Sequence, residues 1–475
     1  MTVLRHDTSN EPALIEGDTG LILSHRDLAD QGRAWSARLG RSRTLLFLVC
    51  RNDVFSAVAY VGAIEGGHVV ALVDGHASTA SIAGIVTAYR PAWIAGAIGL
   101  GAELAANSVP VTSIEVLDGG ELVETGYNSA NDLHPDLAVL LATSGTTGSR
   151  KFVRLSARNI HSNARSIAEF LGLTPDERAI TCLPFHYSFG LSVVNSHLLA
   201  GASVVLTTAS VLEERFWRAF QDYGCSSLAG VPFTFQVLER VGFRTMDLPS
   251  LRTLQQAGGA LDRGLAELYT GYMAGRGGQM FVMYGQTEAT ARIAYVPPDR
   301  MPAKLGSAGI AIPGGHLRID ADPDVGPSEP ATGEIVYEGP NVMMGYGSGA
   351  DDLGRPDELH GVLRTGDIGY LDEDGFLFIV GRSKRIAKVF GLRLNLDEVE
   401  TRLRQSGPAA VMAGQDAIWG FCEFGTDETL AAVASELARD FRIHHSTVRL
   451  KRVEMLPTTS AGKIDYQQVE RWIVD

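Results

Sequence analysis

Compact apolar runs alternate with helix-length segments along the first half of the chain. TLLFLVC (44–50) precedes VFSAVAYVGAIEGG, which precedes HVVALVD (68–74). The rhythm returns at AWIAGA (92–97), LAVLLATS (137–144) and ASVVLTT (202–208). Short runs of this kind predict buried strands, and the segments between them predict crossover helices of a largely parallel sheet, hence doubly wound α/β layers. The stretch from Tyr187 to Leu212 carries no charge and is long enough to cross a bilayer. It also holds Ser188, Ser192, Asn195, Ser196 and His197, so it predicts a buried helix stopped by Gly201 and followed by the strand at 202–208, with no membrane span. From about Gly333 the texture changes. GEIVYEG and GVLRTGDIGYLDEDGFLFIVGR predict short strands with a turn at Asp374-Gly375, then a helix over 395–404 and a small α+β unit.

Composition narrows the class. A chain of 475 residues exceeds one ordinary core and predicts two or three domains. Hydrophobic content of 45% beside 20% charged residues predicts a globular protein. A net charge of −14 argues against a nucleic-acid partner and an anionic membrane surface, so a polyanionic ligand must be met by a local cluster of donors. Cys50, Cys182, Cys225 and Cys422 form no Cys-x-x-Cys pair, which suits a cytoplasmic location and gives no zinc or disulfide signal. Residues 1–10 lack the apolar core of a signal peptide.

Four segments carry candidate chemistry. In TSGTTGSRK (143–151), Gly145 and Gly148 free backbone N–H groups to approach an anion. Thr143, Ser144, Thr146 and Thr147 add hydroxyls, and Arg150 and Lys151 add charge. Arg150 stands where the common ATPase loop needs glycine, and the same residues equally suit a plain surface turn. MYGQTEAT (283–290) places Thr287 and Glu288 beyond a strand. One carboxylate there suits Mg²⁺ beside phosphate oxygens, and a capped helix start is the alternative. Asp367, read as lying in a Gly-flanked turn, suits two ribose hydroxyls, with Arg382 facing the same nucleotide; an ordinary surface hairpin is the alternative. PTTSAGKIDY (457–466) presents Lys463, which by itself reads as a solvated lysine.

Taken in this order, the four segments resemble the adenylate-forming superfamily of acyl- and aryl-CoA synthetases, luciferases and peptide-synthetase adenylation domains. The resemblance runs from about residue 20 to 466. It implies a large N-terminal domain, 1–382, of doubly wound sheets plus a β-rich subdomain, followed by a small mobile α+β domain, 383–475. It implies a phosphate-gripping role for Thr143, Ser144, Gly145, Thr146, Thr147, Gly148 and Lys151. Gly258, Gly259 and Ala260 in QQAGGAL, with Tyr284, take the adenine side. Thr287 and Glu288 take catalytic positions, with Glu288 as magnesium ligand; Asp367 and Arg382 hold the ribose. Lys384 is the hinge and Lys463 the mobile catalytic lysine. CLPFHYSFG and AGVPFTF imply an acyl pocket with His186, Tyr187, Val231 and Gln286, and a buried core histidine is an equal reading of His186.

The implied reaction joins ATP to a carboxylic acid as an acyl-adenylate, then passes the acyl group to a thiol. The acceptor is CoA, or the phosphopantetheine of an acyl carrier protein in the runner-up reading; a non-catalytic nucleotide- or acyl-binding module is the third. His186 stands where amino-acid activators carry an aspartate, which implies a simple acid. Two departures accompany the resemblance. Arg150-Lys151-Phe152 replaces the family's Pro-Lys-Gly, and the stretch from Lys384 to Lys463 is short, implying an abbreviated small domain. Arg442, Arg449, Lys451 and Arg452 form a basic cluster that suits either acceptor, or only a solvated face.

Overall fold

The computed structural model describes residues 7–127, 133–142, 151–321, 330–382, 385–389, 392–414, 417–441, 443–459 and 463–473. Two compact units form, one from residues up to 316 together with 338–363, the other from 317–337 and from 364 onward. This is a grouping by packing and divides the chain differently from the 382/383 boundary expected from the sequence.

The first unit holds two large mixed sheets. In the eight-stranded one, Leu45–Cys50, Val69–Asp74, Trp93–Gly96 and Leu137–Ala142 run parallel, as the apolar runs predict. Antiparallel strands complete it: Phe152–Ser156 and Gly345–Gly347 on one side, Gly120–Thr125 and Val111–Leu117 on the other. The edge strand Val111–Leu117 escapes a search for apolar runs because it is largely exposed. The nine-stranded sheet has a parallel centre of Pro12–Glu16, Ser203–Leu206, Arg178–Ile180, Ser227–Gly230, Thr253–Gln256 and Gln279–Tyr284.

One apolar core joins both sheets, with Leu14, Val204 and Leu206 from one and Leu46, Val70 and Val139 from the other. Helices Val54–Glu65 and Ser188–Ala200 belong to that core and are buried on nearly every side, which is why neither shows a polar face. A hydrogen bond from Tyr60 Oη to Asn195 Oδ1 (3.0 Å) registers them. Gly201 ends the second helix with φ of 77°, the left-handed cap expected of it, and the strand Ser203–Leu206 follows. Among the described residues no helix is long and apolar enough to cross a membrane.

His197 in that helix is fully buried, its Nδ1 2.8 Å from the Val193 carbonyl, and burial pushes its pKa down to about 4. The folded state therefore stays neutral where the unfolded chain takes up a proton. Stability is complete above the ordinary histidine value and falls as pH drops toward 4. A fall of roughly 3 kcal/mol is expected from this one group. Urea midpoints across that window should slope less in His197→Gln; an unchanged slope would remove His197 as the cause.

The second unit contains a four-stranded sheet in the order His316–Ala321, Gly333–Glu338, Val362–Leu371, Leu377–Arg382. Gly375 (φ 79°) turns the last hairpin as expected. Asp367 lies inside a strand, not a turn; Gly366 (φ 74°) and a bulge at Ile368/Gly369 explain the glycine-rich spacing there. A hairpin (Ile386–Val389 with Leu392–Asn395) follows, then a three-stranded sheet packed by helices Leu396–Arg404 and Asp427–Asp440, an α+β arrangement.

Candidate active site

Parallel strands align their carboxyl ends, and here the alignment is in register. Gly230 pairs opposite Gln256, and Gln256 opposite Val282. The segments leaving these ends therefore emerge along one edge, where doubly wound sheets bind ligands. They carry Val231 at the head of helix Pro232–Arg240, then Gly258–Gly259–Ala260, then Tyr284 to Glu288. Gly259 sits against the ring of Pro232, 3.2 Å from where a Cβ would stand, and its carbonyl accepts from Gln256 Nε2 (2.9 Å). Gly285 is obligatory: a Cβ there would lie 1.9 Å from the Ala291 carbonyl oxygen. This close crossing folds residues 285–292 back over themselves.

Thr287 and Glu288 open a single 3-10 turn, Thr287–Ala289. Thr287 is buried, with its Oγ1 3.2 Å from Ser188 Oγ at the start of the helix Ser188–Ala200. Glu288 Oε1 accepts a hydrogen bond from Tyr346 Oη (2.8 Å), and Lys151 Nζ lies over the same tyrosine ring, 3.6 Å from its centroid. One aromatic ring thus ties the cation after the glycine-rich segment to the carboxylate after the strand. Burial, and then the Glu288 charge, push the Tyr346 phenol up, so it remains a donor at neutral pH. Glu288 Oε2 has no hydrogen bond from a described residue. A carboxylate with one tethered and one open oxygen fits magnesium, which takes few protein ligands and keeps its waters. Tyr346 has no signal in the sequence, since nothing in MMGYG points to either partner.

The segment expected to border the acid, 182–190, lies beyond the strand Arg178–Ile180. Phe185, Tyr187 and Phe189 are buried, and the Tyr187 and Phe189 rings stand 6.4 Å apart. His186 Nε2 is 3.8 Å from Asp74 Oδ2, at the carboxyl end of the neighbouring sheet's strand Val69–Asp74. Burial lowers the His186 pKa, and Asp74 opposes this. The ring is therefore neither a plain core residue nor a charged one. Val231, directly after the strand Ser227–Gly230 that pairs with Arg178–Ile180, is buried, and Gln286 is partly buried before the 3-10 turn. Arg292 was not foreseen. It is fully buried, its Cζ 3.8 Å from the centre of the Phe189 ring and its Nε 3.2 Å from Met283 Sδ. A cation inside the apolar stretch ATARIAYV was the available signal.

In the second unit, Asp367 and Arg382 face each other across paired strands, with Arg382 Nε 3.2 Å from Asp367 Oδ1. Asp367 is buried while the Arg382 side chain is mostly exposed. Lys463 closes a small loop: its N–H donates to Thr459 Oγ1 (3.3 Å) and its carbonyl accepts from Thr459 N (2.7 Å). Arg385 is held in this unit by Glu400 (2.8 Å), by the Val411 carbonyl (2.9 Å) and by Asp397. Thr143, Ser144, Gly145, Thr146, Thr147, Gly148, Arg150 and Lys384 lie outside the described residues. The strands beside the glycine-rich segment, Leu137–Ala142 and Phe152–Ser156, pair antiparallel with Ala142 opposite Phe152.

Comparison with known proteins is consistent with this geometry. The model of the AMP-binding enzyme family matches residues 5–347. A protein of Bacillus cereus named 2-succinylbenzoate–CoA ligase is 32% identical over 320 residues, 66% of this chain and 64% of that protein. One of Bacillus mycoides with the same name is 32% identical over 329 residues, covering 67% and 65%. The match thus spans just under two thirds of these relatives' own length. Among solved structures, o-succinylbenzoate CoA synthetase from Bacillus subtilis with its acyl-adenylate has a TM-score of 0.76 at 21% identity, covering 98% of this chain and 96% of that one. ATP-bound MatB from Rhodopseudomonas palustris has 0.76 at 22% identity, covering 98% and 97%. At such identity these structures show a shared fold: large mixed sheets and a smaller C-terminal portion.

Proposed function

Because the chain belongs to the AMP-binding enzyme family, we propose that it activates a carboxylic acid with ATP, releasing pyrophosphate, and passes the acyl group from the adenylate to the thiol of CoA. The observation that carries this reading is the Tyr346 ring linking Lys151 to Glu288 at the carboxyl edge of the sheets. A carboxylic acid is ionised at neutral pH and needs no general base to attack the α-phosphorus. The obstacles are repulsion between two anions and the charge that grows on departing pyrophosphate. Fixed donors and cations answer both, by positioning and by electrostatics.

Each side chain then has a task. Lys151, held over Tyr346, supplies positive charge next to the glycine-rich segment Thr143–Gly148, whose N–H groups and hydroxyls take the phosphates. Glu288 would hold Mg²⁺, which would offset phosphate charge there. Gly258, Gly259, Ala260 and Tyr284 accept the adenine, and Asp367 the ribose hydroxyls, with Arg382 exchanging its contact with Asp367 for the nucleotide. His186, Tyr187, Val231 and Gln286 border the acid. Lys463 enters for adenylation and leaves when residues from 383 onward pivot at Lys384 and admit the thiol. The partners of Arg385, namely Asp397, Glu400 and the Val411 carbonyl, all follow it in the chain, which supports a pivot that lies before it.

CoA is the acceptor favoured by the names of the relatives, 2-succinylbenzoate–CoA ligases. The test is ATP–pyrophosphate exchange with magnesium across a panel of aliphatic and aromatic acids, followed by thioester formation with CoA. Exchange that depends on the acid is expected. ATP binding without exchange for any acid would leave a nucleotide-binding module instead, and AMP release stimulated only by a phosphopantetheinylated carrier protein would replace CoA as acceptor.

A further inference from the structure

In the second unit a charge stands on the apolar face of a helix. The buried side of Leu396–Arg404 is Leu396, Val399, Glu400 and Leu403, all at helical spacing, and Glu400 is 3% exposed. Each oxygen of its carboxylate carries two partners. Oε2 accepts from Arg385 Nη2 (2.8 Å) and from the Val411 N–H (2.9 Å). Oε1 accepts from Tyr466 Oη (2.6 Å) and from Arg404 Nη2 (2.5 Å). A carboxylate so fully occupied has no acceptor left for a ligand and works as a tie between segments.

Arg385 reaches the same tyrosine from another side, its Cζ 4.3 Å from the centre of the Tyr466 ring. Tyr466 is therefore gripped twice, on its face by Arg385 and at its hydroxyl by Glu400. Burial, and then the Glu400 charge, push the phenol up, so it remains a donor at neutral pH. A buried charge network of this kind adds little stability over apolar packing, because desolvation offsets the attraction. Its hydrogen bonds do fix direction, which apolar contacts do not. What they direct here is the exit of the turn that carries Lys463, since Tyr466 stands just beyond it in GKIDY. The turn itself is closed by the backbone bonds between Thr459 and Lys463 and by Asp465 N–H donating to the Pro457 carbonyl (2.8 Å). Its entry is held where Leu456 N–H donates to Glu423 Oε1 (2.7 Å). None of these bonds reaches Arg385 or the helix Leu396–Arg404; the Tyr466 side chain does.

We infer that Glu400 is a positioning residue for adenylation: through Tyr466 it fixes the backbone from which Lys463 reaches, and through Arg385 it ties that placement to the chain beside the proposed pivot, Lys384. This rests on the ligase reading above. A donor to a developing charge acts only from the right place, and a misplacement of about 1 Å costs on the order of 10²-fold in rate. A long lysine side chain on an unanchored turn would not meet that tolerance, and the Glu400–Tyr466 bond supplies the anchor.

Tyr466→Phe tests this with the least disturbance, because it keeps the ring beside Arg385 and leaves Glu400 its bonds to Arg385, Val411 and Arg404. It is expected to lower kcat for pyrophosphate exchange about tenfold while KM for ATP and for the acid stays unchanged. Glu400→Gln, which sets an amide before two guanidinium groups, should lose on the order of 10²-fold in kcat. Thioester formation from chemically prepared acyl-adenylate and CoA should keep its rate in Tyr466→Phe, since that step does not use Lys463. In a Lys463→Ala background Tyr466→Phe should cost nothing further, as befits a residue that acts through the lysine. Equal loss in both half-reactions, or a further tenfold loss on top of Lys463→Ala, would overturn the inference. Hydrogen exchange read by mass spectrometry needs no turnover. Peptides that hold Thr459, Lys463 and Asp465 should exchange about tenfold faster in Tyr466→Phe than in wild type, with those of the helix Leu396–Arg404 unchanged. Equal protection of the Lys463 peptides in both proteins would also overturn it. Should no acid support pyrophosphate exchange, the ligase reading fails by itself, and hydrogen exchange still decides whether Glu400 holds the turn.

Discussion

Lys463→Ala is expected to slow acid-dependent ATP–pyrophosphate exchange by about 10²- to 10³-fold, chiefly in kcat, as loss of one donor to a developing charge does. Lys463 is held in its loop through backbone hydrogen bonds with Thr459 and a bridge between Thr458 and Ile464, none of which uses the ammonium group. The discriminating measurement is thioester formation from chemically prepared acyl-adenylate and CoA. If the lysine serves adenylation alone, that half-reaction keeps its wild-type rate. Equal damage to both halves would sink the proposal that residues from 383 onward alternate between two positions.

Glu288→Gln is expected to be at least as severe, lowering exchange by about 10³-fold, because the amide keeps the shape but discards the charge that faces a cation. The Tyr346 hydroxyl can still donate to the new side chain, so any loss reads the charge and not a collapse of the turn. Tyr346→Phe isolates the other half. It keeps the ring beneath Lys151 and removes only the hydrogen bond to Glu288, so about a tenfold loss is expected. Affinity for ATP measured with and without magnesium supplies the check. In Glu288→Gln the magnesium-dependent part of binding should vanish and the metal-free part persist. Exchange retained within about tenfold in Glu288→Gln would reduce Glu288 to a structural partner of Tyr346.

The sequence by itself determined the class of fold and most of the residues at the edge. Apolar runs such as LLFLVC and VVALVD are local facts, and a strand buried on both faces has no other way to be written. The helix closed by Gly201, the polar cluster of Thr287 and Glu288 beyond its strand, and the α+β texture after 395 were legible for the same reason: each is decided within a few residues of chain. The strand that carries Asp367 was misread as a turn because Gly366 and a bulge imitate turn chemistry. What only the tertiary structure decided is which distant residues meet. Lys151, Tyr346 and Glu288 converge because the edge strand Gly345–Gly347 pairs antiparallel with Phe152–Ser156 at the end of one sheet, beside the carboxyl edge of the other. Arg292 is solitary because the turn braced by Asn341 points it at Phe189 and away from every carboxylate described. Periodicity records whether a residue is buried. The partner it is buried against depends on strand order and on how two sheets close over their helices, and neither is written within any one segment.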